Sequence, residues 1–270
     1  MTAASKCIKP FVVISVVLAA AVILYGVLLR HDPVQADMSK RLLDPSLIHP
    51  LGTDHLGRDL LTRILVGAKM TIGYSLLAVF IAVLIGVSIG VFSGYAGGVI
   101  DRLFMRIADA FLSFPDTIAA IILTGLLGPS MMNLIIAVIF VKWVGYARLV
   151  RSTVFTEKQK DYILQAQING LSTSRIMKKH LFPHVIGHVF ILATIDAGKI
   201  ILLISAMSYI GLGAQPPEPE WGTMLNEARP YFSSRPSLMV IPGVTIALTV
   251  MVIHLFGDYL RDRFDVRREA

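Results

Sequence analysis

Long uncharged runs of apolar residues alternate with short polar segments along this chain. A run of about 20 such residues can cross the ~30 Å hydrocarbon core of a bilayer as a helix. The third run is short, so we expect it to borrow residues across a bend at Pro115. The pattern predicts an all-α integral membrane protein with six transmembrane helices, at residues 11–29, 71–96, 111–127, 131–147, 185–212 and 238–256.

The first apolar run, residues 11–29, could also be a secretory signal peptide. Its apolar region is long for that role, and no clear A-x-A cleavage site follows it. We therefore predict a retained first helix and one membrane domain over residues 1–270.

Composition agrees with a membrane protein. Of the 270 residues 55% are hydrophobic and only 16% are charged, against about 25% in a soluble domain. This excludes a cytosolic enzyme, a disordered protein and a disulfide scaffold, and the single cysteine, Cys7, excludes an internal disulfide. The net charge of +7 comes without a zinc spacing or an RNA-binding signature, so we predict lipid rather than nucleic acid as the contact of the basic residues.

The Lys and Arg residues indicate the orientation. With the N-terminus inside the cell, 15 of them fall in cytoplasmic segments and 8 in outer segments. Cytoplasmic loops are the more basic ones in membrane proteins. We therefore predict a multi-pass protein of the cell membrane with both termini cytoplasmic.

Glycines repeat every four residues in the second run, at Gly86, Gly90 and Gly94. Such a stripe lets another helix approach closely. The stretch Gly86-Val-Ser-Ile-Gly90 also matches the G-x-S-x-G of serine hydrolases, but an apolar helix supplies neither the turn nor the His and acid partners. We predict helix packing and no catalytic residues.

Two charged residues, Asp196 and Lys199, lie inside the fifth run. Their i, i+3 spacing puts them on one helix face. They could form a neutralised pair that faces the helix bundle, or they could line a translocation path. The tentative path residues are Asp196, Lys199, Ser205 and Ser208.

His180, His184 and His188 repeat at helical spacing and suggest a metal site. Pro183 interrupts the run, and acidic ligands are absent nearby. We predict no metal site.

A polar segment of unusual length, residues 148–184, separates the fourth and fifth runs. It predicts an amphipathic helix, a break at Gly170 and a second helix with Ser172 or Thr173 as its N-cap. A basic amphipathic helix of this kind can dock in the groove of a partner protein or lie on anionic lipid.

The same segment resembles the EAA loop of ATP-binding-cassette (ABC) importer permeases. The pattern E-A-A-x-x-x-G followed by I, H and P is matched from Ala166 onwards, while Leu164 and Gln165 replace the usual Glu and first Ala. The resemblance implies that this loop couples to the ATPases through Ala166, Gly170, Leu171, Ser172, Arg175, Ile176, His180 and Pro183.

Further stretches resemble one branch, the second permease subunit of dipeptide, oligopeptide and nickel importers. They include Leu51–Asp59, Met105–Asp109, Ser208–Gly213, Pro216–Gly222 and Gly257–Asp262. Residues 194–201 look most like the nickel-importer members.

The resemblance implies a heterodimer with a homologous second permease subunit, two ATPase subunits and an extracellular or periplasmic substrate-binding protein. This chain lacks G-x-x-x-x-G-K-[ST], so ATP and magnesium are expected on the partner ATPases and no cofactor on this chain. Nickel or a metal chelate is the expected cargo, with di- or oligopeptides as the alternative. An ion-gradient-driven secondary transporter and an intramembrane enzyme are the rival classes, although no internal repeat and no catalytic constellation is evident.

Overall fold

The computed structural model describes residues 32–265, with the side chains of residues 32–262. This part of the chain is helical, with a single isolated β-bridge between Thr53 and Asp59. Its α-helices are α1 (Leu60–Ala96), α2 (Gly98–Leu112), α3 (Asp116–Leu127), α4 (Met131–Lys158), α5 (Asp161–Ile168), α6 (Thr173–Ile176), α7 (Phe182–Tyr209), α8 (Trp221–Ala228) and α9 (Ser237–Asp265).

Four helical stretches are long and apolar enough to cross a membrane, and the bent pair of α2 and α3 would make a fifth. The four are Leu60–Ala96, Met131–Lys158, Thr173–Tyr209 and Ser237–Asp262. The first predicted span, residues 11–29, lies outside the described residues, so the total of six remains a prediction.

The predicted third span, residues 111–127, is not one straight helix. Helix α2 ends at Leu112, helix α3 begins at Asp116, and their axes differ by 86°. Pro115 lacks an N–H and holds its backbone in an extended conformation at the start of α3. Most of α2 falls between the predicted spans 71–96 and 111–127, and it is an amphipathic helix that buries Ala108.

Two helices are longer than the apolar runs they contain. Helix α1 begins at Leu60, ahead of the run that starts at Thr71, because Asp59 caps it by accepting a hydrogen bond from the Thr62 N–H. Helix α4 continues to Lys158, so the predicted 148–184 loop starts as helix. Val150 and Val154 keep this extension buried.

Helices α1 and α4 pack with their backbones almost in contact. A Cβ added to Gly86 would lie 2.5 Å from the Trp143 carbonyl oxygen, and one added to Gly90 would lie 2.6 Å from that of Ala147. At Gly94 the corresponding distance to the Arg151 oxygen is 2.9 Å. Only glycine fits at such separations, so the stripe fixes where α4 crosses α1.

Helix α7 completes the core on the other side of this pair. Ile200 and Ile204 of α7 are buried against Leu134 and Val138 of α4 and against Ala78 of α1. Helix α9 packs on α7, where Gly198 leaves room for the ring of His254. Helix α7 therefore packs against α1, α4 and α9.

Ion pairs fix the bent α2–α3 pair to α4. Arg151 donates to both carboxylate oxygens of Asp101 at 2.9 and 2.5 Å, and Arg148 pairs with Asp109. Lys142 donates to Asp116 at the first turn of α3, at 2.7 Å. In each of these contacts a basic residue of α4 binds a carboxylate of α2 or α3.

We expect Gly90→Ala to destabilise the protein, because the new Cβ would collide with backbone and Val150 atoms of α4. Overpacking of this kind costs about 1–3 kcal/mol. The measurement is thermal stability of the detergent-solubilised chain by size-exclusion after heating. Gly73→Ala in the same helix, where nothing lies within 4 Å, is the control and should not lower stability. Equal midpoints for the two variants would contradict the close approach.

Candidate functional site

A helix–turn–helix segment, residues 161–181, lies at one end of the bundle. It adjoins the C-terminal ends of α1 and α4, where the Tyr95 hydroxyl lies 3.4 Å from Thr173 Oγ1. Lys158 donates to the Tyr95 carbonyl at 2.6 Å and lies over the Tyr95 ring. The segment packs into a shared core through the buried residues Ile163, Ala166, Ile176 and Leu181.

The turn in this segment is a Schellman motif at the end of α5. The Leu171 N–H donates to the Ala166 carbonyl at 3.1 Å, and the Gly170 N–H donates to that of Gln167 at 3.0 Å. Gly170 has φ +74°, which glycine adopts without strain. The break predicted at Gly170 is thus a rigid reversal of direction, held by the packing of Leu171 near Ala166.

The second helix of the segment divides into a buried face and a basic face. Ile176 is buried, while Arg175, Lys178 and Lys179 are exposed. A shallow open depression is lined by Ser172, Ser174, Arg175, Lys178 and Lys179. Ser172 stands at the N-cap position, although its side chain makes no capping hydrogen bond. This face carries Ser172 and Arg175 of the predicted coupling set.

His180 lies on a different side from the basic face. Its ring centroid is 5.9 Å from that of Tyr162, which also lies 6.5 Å from His184. The Tyr162 hydroxyl donates to Glu157 at 2.8 Å, and burial together with this carboxylate raises the pKa of Tyr162 to about 12. Residues 32–262 contain no group of three His, Cys, Asp or Glu side chains that could hold a metal ion. His180 therefore contacts α5 from the turn that precedes α7, and Pro183 lies in the first turn of α7.

The segment leads into α7 without a break. A π-helical turn, Met177–Leu181, joins α6 to α7, so that Thr173–Tyr209 forms one helical stretch. A π-turn of this kind is common at functional sites. The stretch connects the basic face directly to the middle of α7, which is part of a helical stretch long and apolar enough to cross a membrane.

Asp196 and Lys199 lie on this helix and form a loose pair. Lys199 Nζ is 3.7 Å from Asp196 Oδ1, and the Lys199 side chain is 56% exposed against 12% for Asp196. Lys199 therefore points away from the bundle of this chain. Exposure to lipid at this depth would cost roughly 2.5–3.5 kcal/mol, so a polar neighbour or water is required.

Ser205 and Ser208, the other two predicted path residues, are buried instead. A Cβ added to Gly222 of α8 would lie 2.7 Å from the Ser205 Cα and 2.8 Å from the Ser208 Cβ. Both hydroxyls are buried without a hydrogen-bond partner among the described residues. In this conformation the two serines pack against α8 at Gly222. They do not lie on the exposed face that carries Lys199.

A buried network of charges occupies the opposite end of the bundle. Arg58 Nε donates to Asp54 at 2.6 Å, and the guanidinium groups of Arg58 and Arg63 bind Glu227 of α8 at 3.0 and 2.8 Å. Both arginine side chains are 1% exposed. We call residues 49–63 with residues 217–228 the cap.

Further contacts join the cap to residues beside it. Trp221 is buried, and its indole N–H donates to the Ile64 carbonyl at 2.9 Å across the notch left by Gly67. Glu220 caps α8 through the Thr223 N–H and accepts a hydrogen bond from Thr71. His55 stacks on Tyr231 at 5.2 Å, and its partial burial lowers its pKa.

This network was not predicted from the sequence, where the stretches Leu51–Asp59 and Pro216–Gly222 carry only a family resemblance. The available signal was a set of opposite charges, with Asp54, Arg58 and Arg63 in one outer segment and Glu227 in another. Nothing in a single sequence pairs two segments that lie more than 150 residues apart.

Comparisons with known proteins agree on one family. Residues 86–269 match the family described as "Binding-protein-dependent transport system inner membrane component". The nickel transport system permease protein NikC of Escherichia coli K12 is 37% identical over 237 residues, 88% of this chain and 86% of that protein. The dipeptide transport system permease protein DppC of Alkalihalophilus pseudofirmus is 37% identical over 87% of this chain and 78% of that protein. The glutathione transport system permease protein GsiD of Escherichia coli O6:K15:H31 is 42% identical over 82% of this chain and 73% of that protein.

Solved structures support the same fold. Two structures of the MetNI methionine ABC transporter in inward facing conformations match with TM-scores of 0.57 and 0.53, each at 18% identity. They cover 74% and 73% of this chain and 95% and 94% of the matched chains. The likeness identifies the permease fold.

We expect Glu227→Gln to destabilise the cap, because it leaves two buried guanidinium groups without their shared carboxylate. Breaking a buried ion pair costs about 3–5 kcal/mol. Thermal unfolding in detergent measures the effect. The control is Asp44→Asn, which removes a surface pair with Arg235 whose side chains are 74% and 40% exposed and should change stability by less than about 1 kcal/mol. A Glu227→Gln midpoint equal to that of the control would show that the network is not needed.

Proposed function

The chain belongs to the binding-protein-dependent transport system inner membrane components, as a permease subunit of an ABC importer, and from this premise we propose that it imports nickel or a metal chelate. The sequence resemblance to the nickel and dipeptide branch is confirmed at this level. Family membership argues against the ion-gradient-driven transporter and the intramembrane enzyme.

The choice of nickel rests on the match to NikC and on residues 194–201. Relatives named for dipeptide and glutathione transport are similarly close, so import of di- or oligopeptides is the second candidate. Either cargo would cross the membrane unchanged, since transport breaks no bond in it.

We assign the rest of the importer from the same premise. The chain pairs with a homologous second permease, two ATPase subunits bind on the cytoplasmic side, and a substrate-binding protein delivers the cargo outside. ATP and magnesium belong to the ATPase subunits, because this chain has no phosphate-binding loop. With six spans and both termini cytoplasmic, the 161–181 segment faces the ATPases and the cap faces outward.

The exposed basic face of α6 and of the π-helical turn after it carries this proposal. The segment is fixed to the bundle by buried residues on one side, while Arg175, Lys178 and Lys179 remain free of contacts that would hide them on the other. The face of this helix that remains exposed is basic, since Ile176 is already buried, so it suits contact with an oppositely charged surface of a partner.

The continuous stretch Thr173–Tyr209 supplies the mechanical link. Closure of the ATPase dimer on ATP would move the docked segment, and α7 would move with it as one helix. Asp196 and Lys199 lie midway along α7 and would change their surroundings between inward-facing and outward-facing states.

We assign Asp196 and Lys199 to the translocation path because Lys199 is exposed in a helix where lipid is a poor neighbour. Ser205 and Ser208 join the path only if α8 shifts, since Gly222 covers them in this conformation. Their unpartnered hydroxyls would then become available to the cargo.

A charge reversal of the basic face tests the docking. In Arg175→Glu with Lys178→Glu, we expect the ATPase subunits recovered with the tagged permease to fall to about a tenth of wild type, because like charges at an interface cost several kcal/mol. Lys69→Glu, an exposed lysine on α1, is the matched control and should retain both ATPases. Undiminished ATPase recovery with the double variant would refute the docking role.

Uptake of labelled nickel and of labelled dipeptides tests the cargo. In cells that lack this chain, nickel uptake should fall while dipeptide uptake stays unchanged, and the chain should restore it. Restoration of dipeptide uptake instead would select the second candidate.

The variant Asp196→Asn tests the translocation path. It should assemble with its partners yet fail to restore uptake, because the pair with Lys199 loses its negative member. Full restoration of uptake by this variant would remove Asp196 from the path.

A further inference from the structure

A tyrosine in the core of the bundle carries a hydroxyl that the packing does not use. Tyr146 of α4 is 0% exposed, and its hydroxyl is buried without a hydrogen-bond partner among the described residues. A buried hydroxyl without a partner destabilises a fold, whereas phenylalanine would fill the same space without that cost. The tyrosine therefore needs an explanation beyond the packing of this conformation.

Helices α4 and α7 are antiparallel, and this determines which part of α7 lies beside Tyr146. The start of α4 shares a buried cluster with the late part of α7, as Leu134 does with Ile204. The end of α4 shares another cluster with the early part of α7, as Val150 does with Val189. Tyr146 lies between these two levels, so it is level with the middle of α7.

The direction of its side chain brings the Tyr146 hydroxyl to Asp196. Helical side chains lean toward the N-terminus of their helix, and for α4 this is the direction in which the residue numbers of α7 increase. Val189 and Ala193 of α7 pack in the same cluster as Tyr146, and one further turn on that face leads to Asp196. Asp196 is the charged group that acts on the Tyr146 hydroxyl.

Helix α1 confines the ring from the other side. A Cβ added to Gly86 would lie 2.5 Å from the Tyr146 Cβ, and Ala82 packs in the same cluster as the tyrosine. The ring therefore has little room to turn away from α7. A small shift of α7 along α4 is enough to bring the Asp196 carboxylate onto the hydroxyl while the ring stays in place.

Asp196 has capacity for a second partner. Its side chain is 12% exposed, and Lys199 Nζ, at 3.7 Å from Oδ1, is beyond hydrogen-bond length. A buried carboxylate is costly unless it accepts hydrogen bonds, and such bonds are strong where water is excluded. The phenol of Tyr146 is a donor of the kind that this carboxylate needs.

We propose that Tyr146 is a positioning residue of the translocation path, whose hydroxyl donates to Asp196 in the other state of the transport cycle. The proposal rests on the proposed function, which puts Asp196 on the path and moves α7 between two states. In that other state the bond holds the carboxylate inside the bundle. In the conformation described here the carboxylate is available to Lys199 and to the cargo. Tyr146 thereby makes the availability of Asp196 depend on the position of α7.

The first test compares Tyr146→Phe with wild type in the complete importer in proteoliposomes. Phenylalanine keeps the ring and removes only the hydroxyl, so all subunits should be recovered in normal amounts. The maximal rate of uptake of nickel, or of dipeptide if the wild type carries that, should fall about tenfold, as for a lost hydrogen bond to a charged group, with KM within about threefold. Tyr74→Phe, the same change at a half-buried tyrosine of α1, is the control and should transport normally.

Thermal unfolding of the same importer distinguishes positioning from packing. Midpoints are measured without nucleotide and after trapping with ATP and vanadate. Tyr146→Phe should have a lower midpoint than wild type in one of these two states only, because the bond forms in one of them. In an Asp196→Ala background the hydroxyl has lost its acceptor, so Tyr146→Phe should lower the midpoint in neither state.

The outcomes that overturn the proposal differ from those that overturn the proposed function. Unchanged uptake kinetics of Tyr146→Phe would remove Tyr146 from the path and leave the importer function intact. A midpoint lowered equally in both states, or lowered in the Asp196→Ala background as well, would make the hydroxyl a constant contact of the fold. A wild-type importer that takes up neither nickel nor dipeptide would overturn the proposed function, while the midpoints, which need no cargo, would still decide whether Tyr146 binds Asp196.

Discussion

Helices α1 and α4 approach so closely at Gly86, Gly90 and Gly94 that no side chain fits between their backbones. In lipid, helices associate through such packing and through interhelical polar contacts, because apolar burial offers little gain over lipid itself. The remaining elements depend on this contact. Helix α7 packs beside the α1–α4 contact. The 161–181 segment packs against the C-terminal part of α4 at Val150 and Val154.

The charged residues of α4 and of the cap form ion pairs at the two ends of the bundle. At one end the arginines of α4 hold the amphipathic α2 through Asp101 and Asp109, and at the other end two buried arginines share Glu227. Lys199 is the contrast, since its amine is exposed on a membrane helix with only a loose partner. Within the described residues, closely paired charges mark the structural sites, and the exposed charge of Lys199 marks the proposed path.

The sequence predicts well what depends on local periodicity. The apolar runs mark the long helices, the four-residue glycine spacing marks the α1–α4 contact, and Gly170 marks the turn of the coupling region. It fails where distant segments meet. The pairing of Arg58 with Glu227 and the burial of Ser205 and Ser208 under Gly222 require knowledge of which helices become neighbours. The amphipathic α2 does not, because its apolar and polar positions already follow a helical period in the sequence. The 86° bend was signalled by Pro115, but its size was not.

Because α1 runs unbroken from Asp59 to the glycine stripe, the cap and the α4 contact share one helical register. One residue inserted or deleted between Thr71 and Gly86 would rotate the two ends by about 100° relative to each other. Arg58 and Arg63 would then face away from Glu227 while Gly90 stayed against α4, or the reverse. The length of this helical segment is therefore fixed to the residue.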